Sequence, residues 1–291
     1  MWENCAPSAA MSMQPHQAPL PHWSAPPAVT ASIGLHAVAA GTAALMPETL
    51  WWALGGIGLN QVGLTAAGLW PRSRLLGPNW TRLPAAAAER RQFALTLDDG
   101  PDPKITPRVL DLLDQHRTRA TFFCIATHAQ AHPSLLREIV ARGHDVQNHS
   151  HSHHHHFALL GPRALAREVA RAQQVLTDLC GVKPHCFRAP AGLRSPFLDP
   201  VLHRQELHLV SWTRRGFDTV SHDAQRVFER LTQGMAAGDI VLLHDGHARR
   251  SRREQPVVLQ VLPRLLAHAA GLGLHATTLR DAVPPRGTEP R

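Results

Sequence analysis

The sequence predicts an α/β protein, a distorted (β/α) barrel of about seven strands preceded by an N-terminal transmembrane helical hairpin. Four observations predict it. From Arg91 onward, short β-rich apolar runs alternate with segments of helical period, a pattern that argues for a parallel sheet covered by helices. Some seven such units in about 190 residues close more readily into a barrel than an open sheet. Ahead of them stand two charge-free apolar stretches, 28–46 and 50–70, each about 20 residues long, which suits a helix crossing a hydrocarbon core. Finally, all 30 Lys and Arg residues lie at or after Arg72.

In chain order, residues 1–27 are rich in Pro, Ala, Ser and His without periodicity, the composition of an unstructured tail. The hairpin occupies 28–70, with Trp51, Trp52 and Trp70 at segment ends where interfacial aromatics belong. No basic region precedes an early apolar stretch, which speaks against a cleaved signal peptide. Arg72, Arg74, Arg82, Arg90 and Arg91 crowd the exit of the second segment, whereas the turn carries only Glu48. The positive-inside rule then places both hairpin ends, and the domain that follows, in the cytoplasm. A linker over 71–91 leads to the α/β domain over 92–282 and a solvated tail over 283–291.

Within the domain, strands are expected at 93–99, 120–126, 144–150, 185–190, 207–213, 239–245 and 274–279. The helices between them are expected at 106–117, 133–143, 162–181, 223–235 and 256–273. The first has Pro107 in its opening turn and Val109, Leu112 and Leu113 on one face, and the second stops at Gly143.

Composition narrows the function. At 44% apolar, the 291 residues suffice for a sizeable core. No basic run is interleaved with aromatics, so nucleic acid is not an expected partner, and nothing points to a protein partner. The net charge of +8 fits attraction to anionic lipid or phosphate-bearing substrates. Cys5, Cys124, Cys180 and Cys186 form no C-x-x-C pair and read as reduced thiols.

Barrel enzymes keep their chemistry at the C-terminal ends of strands, and polar residues collect there. Asp98 and Asp99 end the first strand, the histidines the third, and Arg188 the fourth; Asp218 follows the fifth, and His244 closes "IVLLHD". Adjacent carboxylates on a strand point in opposite directions, so one can ligate a metal while the other acts as a base. A carboxylate with two imidazoles makes a three-ligand catalytic metal set with one position open. Six histidines lie between His149 and His156, and spacing alone leaves the pairs 149/153, 151/155 and 149/154 open.

Taken in order, "TLDDGPDP" (96–103), "NHSHSH" (148–153), "FRAPAG" (187–192) and "IVLLHD" (240–245) resemble the polysaccharide deacetylase family, the NodB-homology group of metal-dependent carbohydrate N- and O-deacetylases. The resemblance covers roughly 92–282. It implies Asp98 as catalytic base, Asp99, His149 and His153 as metal ligands, Arg188 as the arginine holding the base and His244 as general acid. It further implies Asp218 orienting His244, with Trp212, Leu242 and the backbone N–H of Ala191 lining the substrate site. One divalent ion is implied, with Zn favoured and Co, Ni or Mn suited to the same ligands. The implied reaction removes an N-acetyl, N-formyl or O-acetyl group from an acylated carbohydrate. A lipid-linked saccharide or glycolipid is the expected substrate, and the bilayer is the expected partner of 28–70.

Three positions depart from the family pattern. His154 stands where Pro usually follows the second histidine, Ala191 replaces a Tyr, and Arg215 occupies a commonly acidic position. A His-rich metal buffer or an inactive carbohydrate-binding module on the same fold would need none of Asp98, Asp99, Arg188 and His244, which are all present.

Overall fold

The computed structural model describes residues 22–247, 249–251 and 255–286. Its strands are β1 Gln92–Asp98, β2 Thr121–Cys124, β3 Asp145–Asn148, β4 Cys186–Phe187, β5 His208–Leu209, β6 Arg214–Arg215, β7 Ile240–His244 and β8 His275–Thr277. They form a curled half-barrel in the order β5-β4-β3-β2-β1-β7-β6, with β8 paired to the start of β1. All of these pairings are parallel. This is the expected α/β architecture.

The period of two along each strand decides what faces the helices and what faces the barrel interior. In β1, Phe93, Leu95 and Leu97 pack with Val109, Leu110 and Leu113 of the helix Thr106–Gln115 and with Val261 and Leu265 of the helix Val257–Gly271. The alternate residue Ala94 joins a separate inner cluster with Phe123, Val210 and Ile240. Thr96 and Asp98 continue that inner face toward the C-terminal end of the strand. In β7, Val241 and Leu243 belong to the helix-facing core, which leaves Leu242 and His244 on the inner face. Asp98 lies directly opposite His244 in the β1–β7 register.

Residues 71–91, expected as a linker, pack into the domain. Trp80 pairs with Val210, Arg82 with Asp239, and the Leu83 N–H donates to Gly238 O at 2.8 Å. The segment therefore spans the gap between the end of β5 and the start of β7. Leu83 and Ala87, the latter on the short helix Ala85–Glu89, are buried with Ala94 and Ile240. The expected strand 207–213 is also shorter: β5 stops at Leu209, Trp80 bridges the next residue, Val210, on its other edge, and the chain re-enters the sheet as β6. Helices Ala126–Ala131 and Leu198–Arg204, absent from the expectation, are too short to show an apolar period.

The helices α1 Pro27–Leu45 and α2 Leu50–Leu69 are joined through a 3-10 turn, Pro47–Thr49. Polar groups meet between them: Asn60 Nδ2 donates to Ser32 Oγ at 2.8 Å, and Gln61 Nε2 lies 3.4 Å from His36 Nε2. Both segments were expected to be apolar enough to span a membrane. Among the described residues only α1 is long and apolar enough, with mean hydropathy 1.5. Asn60 and Gln61 lower the average of α2.

The expected N-terminal tail lies outside the described residues over 1–21, and the expected C-terminal tail does so over 287–291. Up to Arg286 the latter is docked: Pro284 O accepts from His208 Nε2 at 3.0 Å, and Arg286 Nη1 donates to Leu207 O at 2.9 Å. Cys124 and Cys186 are buried, Cys180 is half-buried, and all three are free thiols; Cys5 lies outside the described residues.

Candidate active site

β1 ends at Asp98, and the next residue leaves the strand with φ 72°. Aspartate tolerates this left-handed geometry better than most residues. The turn overrides the expected divergence of the two carboxylates and brings both toward His149. Its Nε2 lies 3.2 Å from Asp99 Oδ1 and 3.9 Å from Asp98 Oδ2.

The histidine loop follows β3 and is anchored from below. Asn148 donates to Gln173 Oε1 at 2.9 Å, its own Oδ1 accepts from the Ser150 N–H at 2.9 Å, and Ser150 Oγ accepts from the His153 N–H at 3.0 Å. Ser150 and His153 both take left-handed φ values, 68° and 50°. The loop thereby doubles back, and His153 Nε2 reaches 3.3 Å from Asp99 Oδ1. Candidate ligand atoms of Asp99, His149 and His153 all lie within 4.8 Å of one another. His154, His155 and His156 are exposed, and His154 leans on Glu168 at 3.6 Å. Of the pairs that spacing left open, the structure brings together 149/153.

The donors suit a divalent cation. His149 Nδ1 sits 2.8 Å from Arg188 O, which places the proton on that nitrogen and leaves Nε2 to face the cluster. Burial pulls His153 down to about 4, so it is neutral, the ligating form. Burial pushes Asp99 upward, but hydrogen bonds from His149 and His247 outweigh it and hold the carboxyl well below the ordinary range.

Arg188, just past β4, is 1% exposed. Its Nη1 donates to Asp98 Oδ1 at 2.6 Å and to Thr96 Oγ1 at 2.8 Å, Nη2 to Ser211 O at 2.9 Å, and Nε to Val210 O at 3.2 Å. Buried cations persist when paired and fully hydrogen-bonded in this way. Asp98 keeps Oδ2 toward the histidines.

Asp218 grips His244 twice: Oδ1 lies 2.9 Å from Nδ1, and Oδ2 accepts from its backbone N–H at 2.8 Å. Burial opposes charge on the imidazole, but the Asp218 carboxylate wins and raises it to about 9. Trp212 is buried, with its ring edge against the loop 190–192. A Cβ on Gly192 would stand 2.5 Å from Trp212 Cη2 and 2.8 Å from Pro71 Cβ, and its φ is 76°, so only glycine fits. Ala191 beside it takes φ 55°. Leu242, buried, lies opposite Thr96.

Sequence reasoning missed His128, whose Nδ1 lies 3.0 Å from Asp99 O, and His247, whose Nδ1 lies 3.4 Å from Asp99 Oδ2. His247 stands only three residues past His244, but no spacing rule marks it. Asp245 was also missed. Burial lifts its carboxyl to about 7, and Oδ2 accepts from Thr106 Oγ1 at 2.5 Å beneath the β1 turn.

Residues 85–210 match the model of the polysaccharide deacetylase family. Over 158 residues the chain is 36% identical to a chitooligosaccharide deacetylase of Bradyrhizobium sp., covering 54% of this chain and 72% of that protein. The chain belongs to the polysaccharide deacetylase family. It is also 30% identical over 175 residues to a peptidoglycan-N-acetylglucosamine deacetylase of Bacillus cereus, covering 60% of this chain and 81% of that protein. Among solved structures, a family 4 carbohydrate esterase from Streptomyces lividans in complex with acetate matches with TM-score 0.59 at 30% identity, covering 67% of this chain and 97% of that one. A peptidoglycan N-acetylglucosamine deacetylase structure matches with TM-score 0.63 at 25% identity, covering 70% and 92%. The helices α1 and α2 precede the residues matched by the family model.

Proposed function

We propose that the protein is a metal-dependent hydrolase that removes an acetyl group from an N-acetylated sugar of a saccharide. The observation that carries this reading is the convergence of three pairings at one strand end: Asp99 with His149 and His153, Asp98 with Arg188, and His244 with Asp218. Asp99, His149 and His153 would hold one divalent ion, most suitably Zn. When bound, the ion supplies Lewis-acid polarisation of the acyl carbonyl and a lowered pKa for the attacking water.

The chain's own groups would do the rest. Arg188 occupies Asp98 Oδ1, so Oδ2 is the atom that accepts the proton of the attacking water. The water oxygen adds to the carbonyl carbon. His244, held protonated by Asp218, donates from Nε2 to the sugar nitrogen as the C–N bond breaks, leaving acetate and a free amine. Trp212 and Leu242 would pack the acetyl methyl, and the Ala191 N–H would face the developing oxyanion.

The substrate we favour is lipid-linked. Pro71, which ends the helical pair, borders the site: its carbonyl accepts from Ser211 Oγ at 2.6 Å, and Gly68 O accepts from the Arg194 N–H at 3.1 Å. With α1 in a bilayer, the mouth of the barrel would open near the head groups. The Arg residues that follow α2 favour a cytoplasmic domain.

Acetate release from a soluble chitooligosaccharide and from a lipid-linked saccharide, each with and without chelator, tests the reading. Turnover lost to chelator and restored by Zn is the expected result. Full turnover after complete metal removal would overturn the metal assignment.

A further inference from the structure

Arg215 is an arginine without a job in the reading above. β6 contributes Arg214 and Arg215 to the sheet edge, and alternation sends them to opposite faces. Arg214 bonds Asp239 and the carbonyls of Gln233 and Gly234. Arg215 lies opposite Leu242, which lies opposite Thr96, the residue that accepts from Arg188. It therefore shares the inner face with the candidate active site. Its guanidinium carbon stands 5.1 Å from the Trp212 ring centroid and 4.8 Å from that of Phe217. Arg230, from the helix Ala224–Thr232, meets the same Phe217 ring at 5.4 Å.

Neither guanidinium has a carboxylate or hydrogen-bond partner among the described residues, and Arg215 Nε is a buried donor with no acceptor. By contrast Arg82, Arg142, Arg188, Arg214 and Arg280 all reach carboxylates. Phe217 takes φ 63°, a strained value for an aromatic. That turn sets its ring between the two arginines while the next residue, Asp218, points back to His244. The result is a planar donor fork, braced on aromatic rings, with no carboxylate beside it among the described residues.

We infer that Arg215, supported by Arg230, binds an anionic substituent of the substrate, a phosphate ester or carboxylate next to the acetylated sugar. The inference rests on the deacetylase reading and deepens it. A guanidinium fork matches either anion bidentately.

The test compares a neutral chitotriose with the same trisaccharide carrying a reducing-end phosphate, a uronate, or a polyprenyl phosphate, using the full chain loaded with Zn. The readout is the charged-to-neutral ratio of kcat/KM. Wild type should favour the charged substrates by at least about tenfold. Arg215→Gln should collapse that ratio, mainly through KM, and Arg215→Lys should restore part of it. The preference should weaken from about 0.05 to about 0.5 M salt. Calorimetric binding of the same trisaccharides gives the ratio without turnover, so failure of the deacetylase reading is seen separately as bound sugar with no acetate released. A preference confined to the lipid-linked form and untouched by Arg215→Gln would assign it to the lipid and overturn the inference. So would an equal loss on charged and neutral substrates, or no wild-type preference at all.

Discussion

At the residue scale, the proposed chemistry depends on a few side chains held in states they would not adopt alone. Asp98→Asn should retain metal yet lose about 10²–10⁴-fold in turnover, the usual worth of a general base; single-turnover acetate release with metal analysis checks both. His149→Ala and Asp99→Ala should lose the ion, whereas His155→Ala, on an exposed side chain, should keep ion and turnover, as equilibrium dialysis would report. His244 gives a pH prediction. Its imidazole is raised to about 9 by Asp218, so in the metal-free protein it should be charged at neutral pH and lose its proton only near that value. Asp218→Asn removes the carboxylate and should drop the titration toward or below the ordinary value of about 6.5, read by NMR of the ring. A bound cation repels the imidazolium, so the alkaline limb of the pH–rate profile should fall below the metal-free titration. Arg188→Met leaves Asp98 buried without its partner and should cost about 3–5 kcal/mol in stability besides the activity.

At the scale of elements, the barrel owes its closure to a segment that is neither strand nor helix by pattern. Residues 80–83 bond to the ends of β5 and β7, and Trp80 meets His208 edge-on at 5.9 Å between ring centroids. Trp80→Ala should destabilise the domain by about 2 kcal/mol, at the low end for large apolar truncations because the ring is only half-buried. The midpoint of a urea transition measures this. The left-handed residues Asp99, Ser150, His153, Ala191 and Phe217 all sit in loops that leave strand ends at the site. Such strain persists only where surrounding contacts over-determine the backbone. Here it turns each loop back over the barrel mouth.

At the scale of the whole molecule, the question is which surface the site faces. Ile33, Val38, Leu59 and Val62 stand more than half exposed on α1 and α2, as do Trp51 and Trp52 at the turn, and exposed apolar side chains grouped in this way mark membrane or partner contacts. The chain should remain in the membrane fraction after alkaline extraction, and a periplasm-only reporter fused after Arg291 should stay silent. A strong signal would place the domain on the other side. Arg82 and Arg91 are engaged with Asp239 and with the carbonyls of Leu272 and Gly273. The positive-inside rule acts on the chain during insertion, so those contacts, formed on folding, do not remove their influence.

The strand–helix alternation and the four ordered motifs determined the α/β class, the family and the strand ends where the candidate site residues gather. This was legible because burial imposes a short period on sequence, and because Asp98, Asp99, Arg188 and His244 lie in or beside runs with that period. Long-range and loop-borne features were not. The role of Trp80, the docking of Pro284 and Arg286, and the approach of His128 and His247 to Asp99 join residues far apart in the chain, and no local pattern encodes such pairs. The divergence expected of Asp98 and Asp99 failed because one left-handed φ ends the strand rule. Among the clustered histidines, spacing offered several equal grips. Only the folded loop, turned by Ser150 and His153, decided that His149 and His153 face the same carboxylate while His154, His155 and His156 face water.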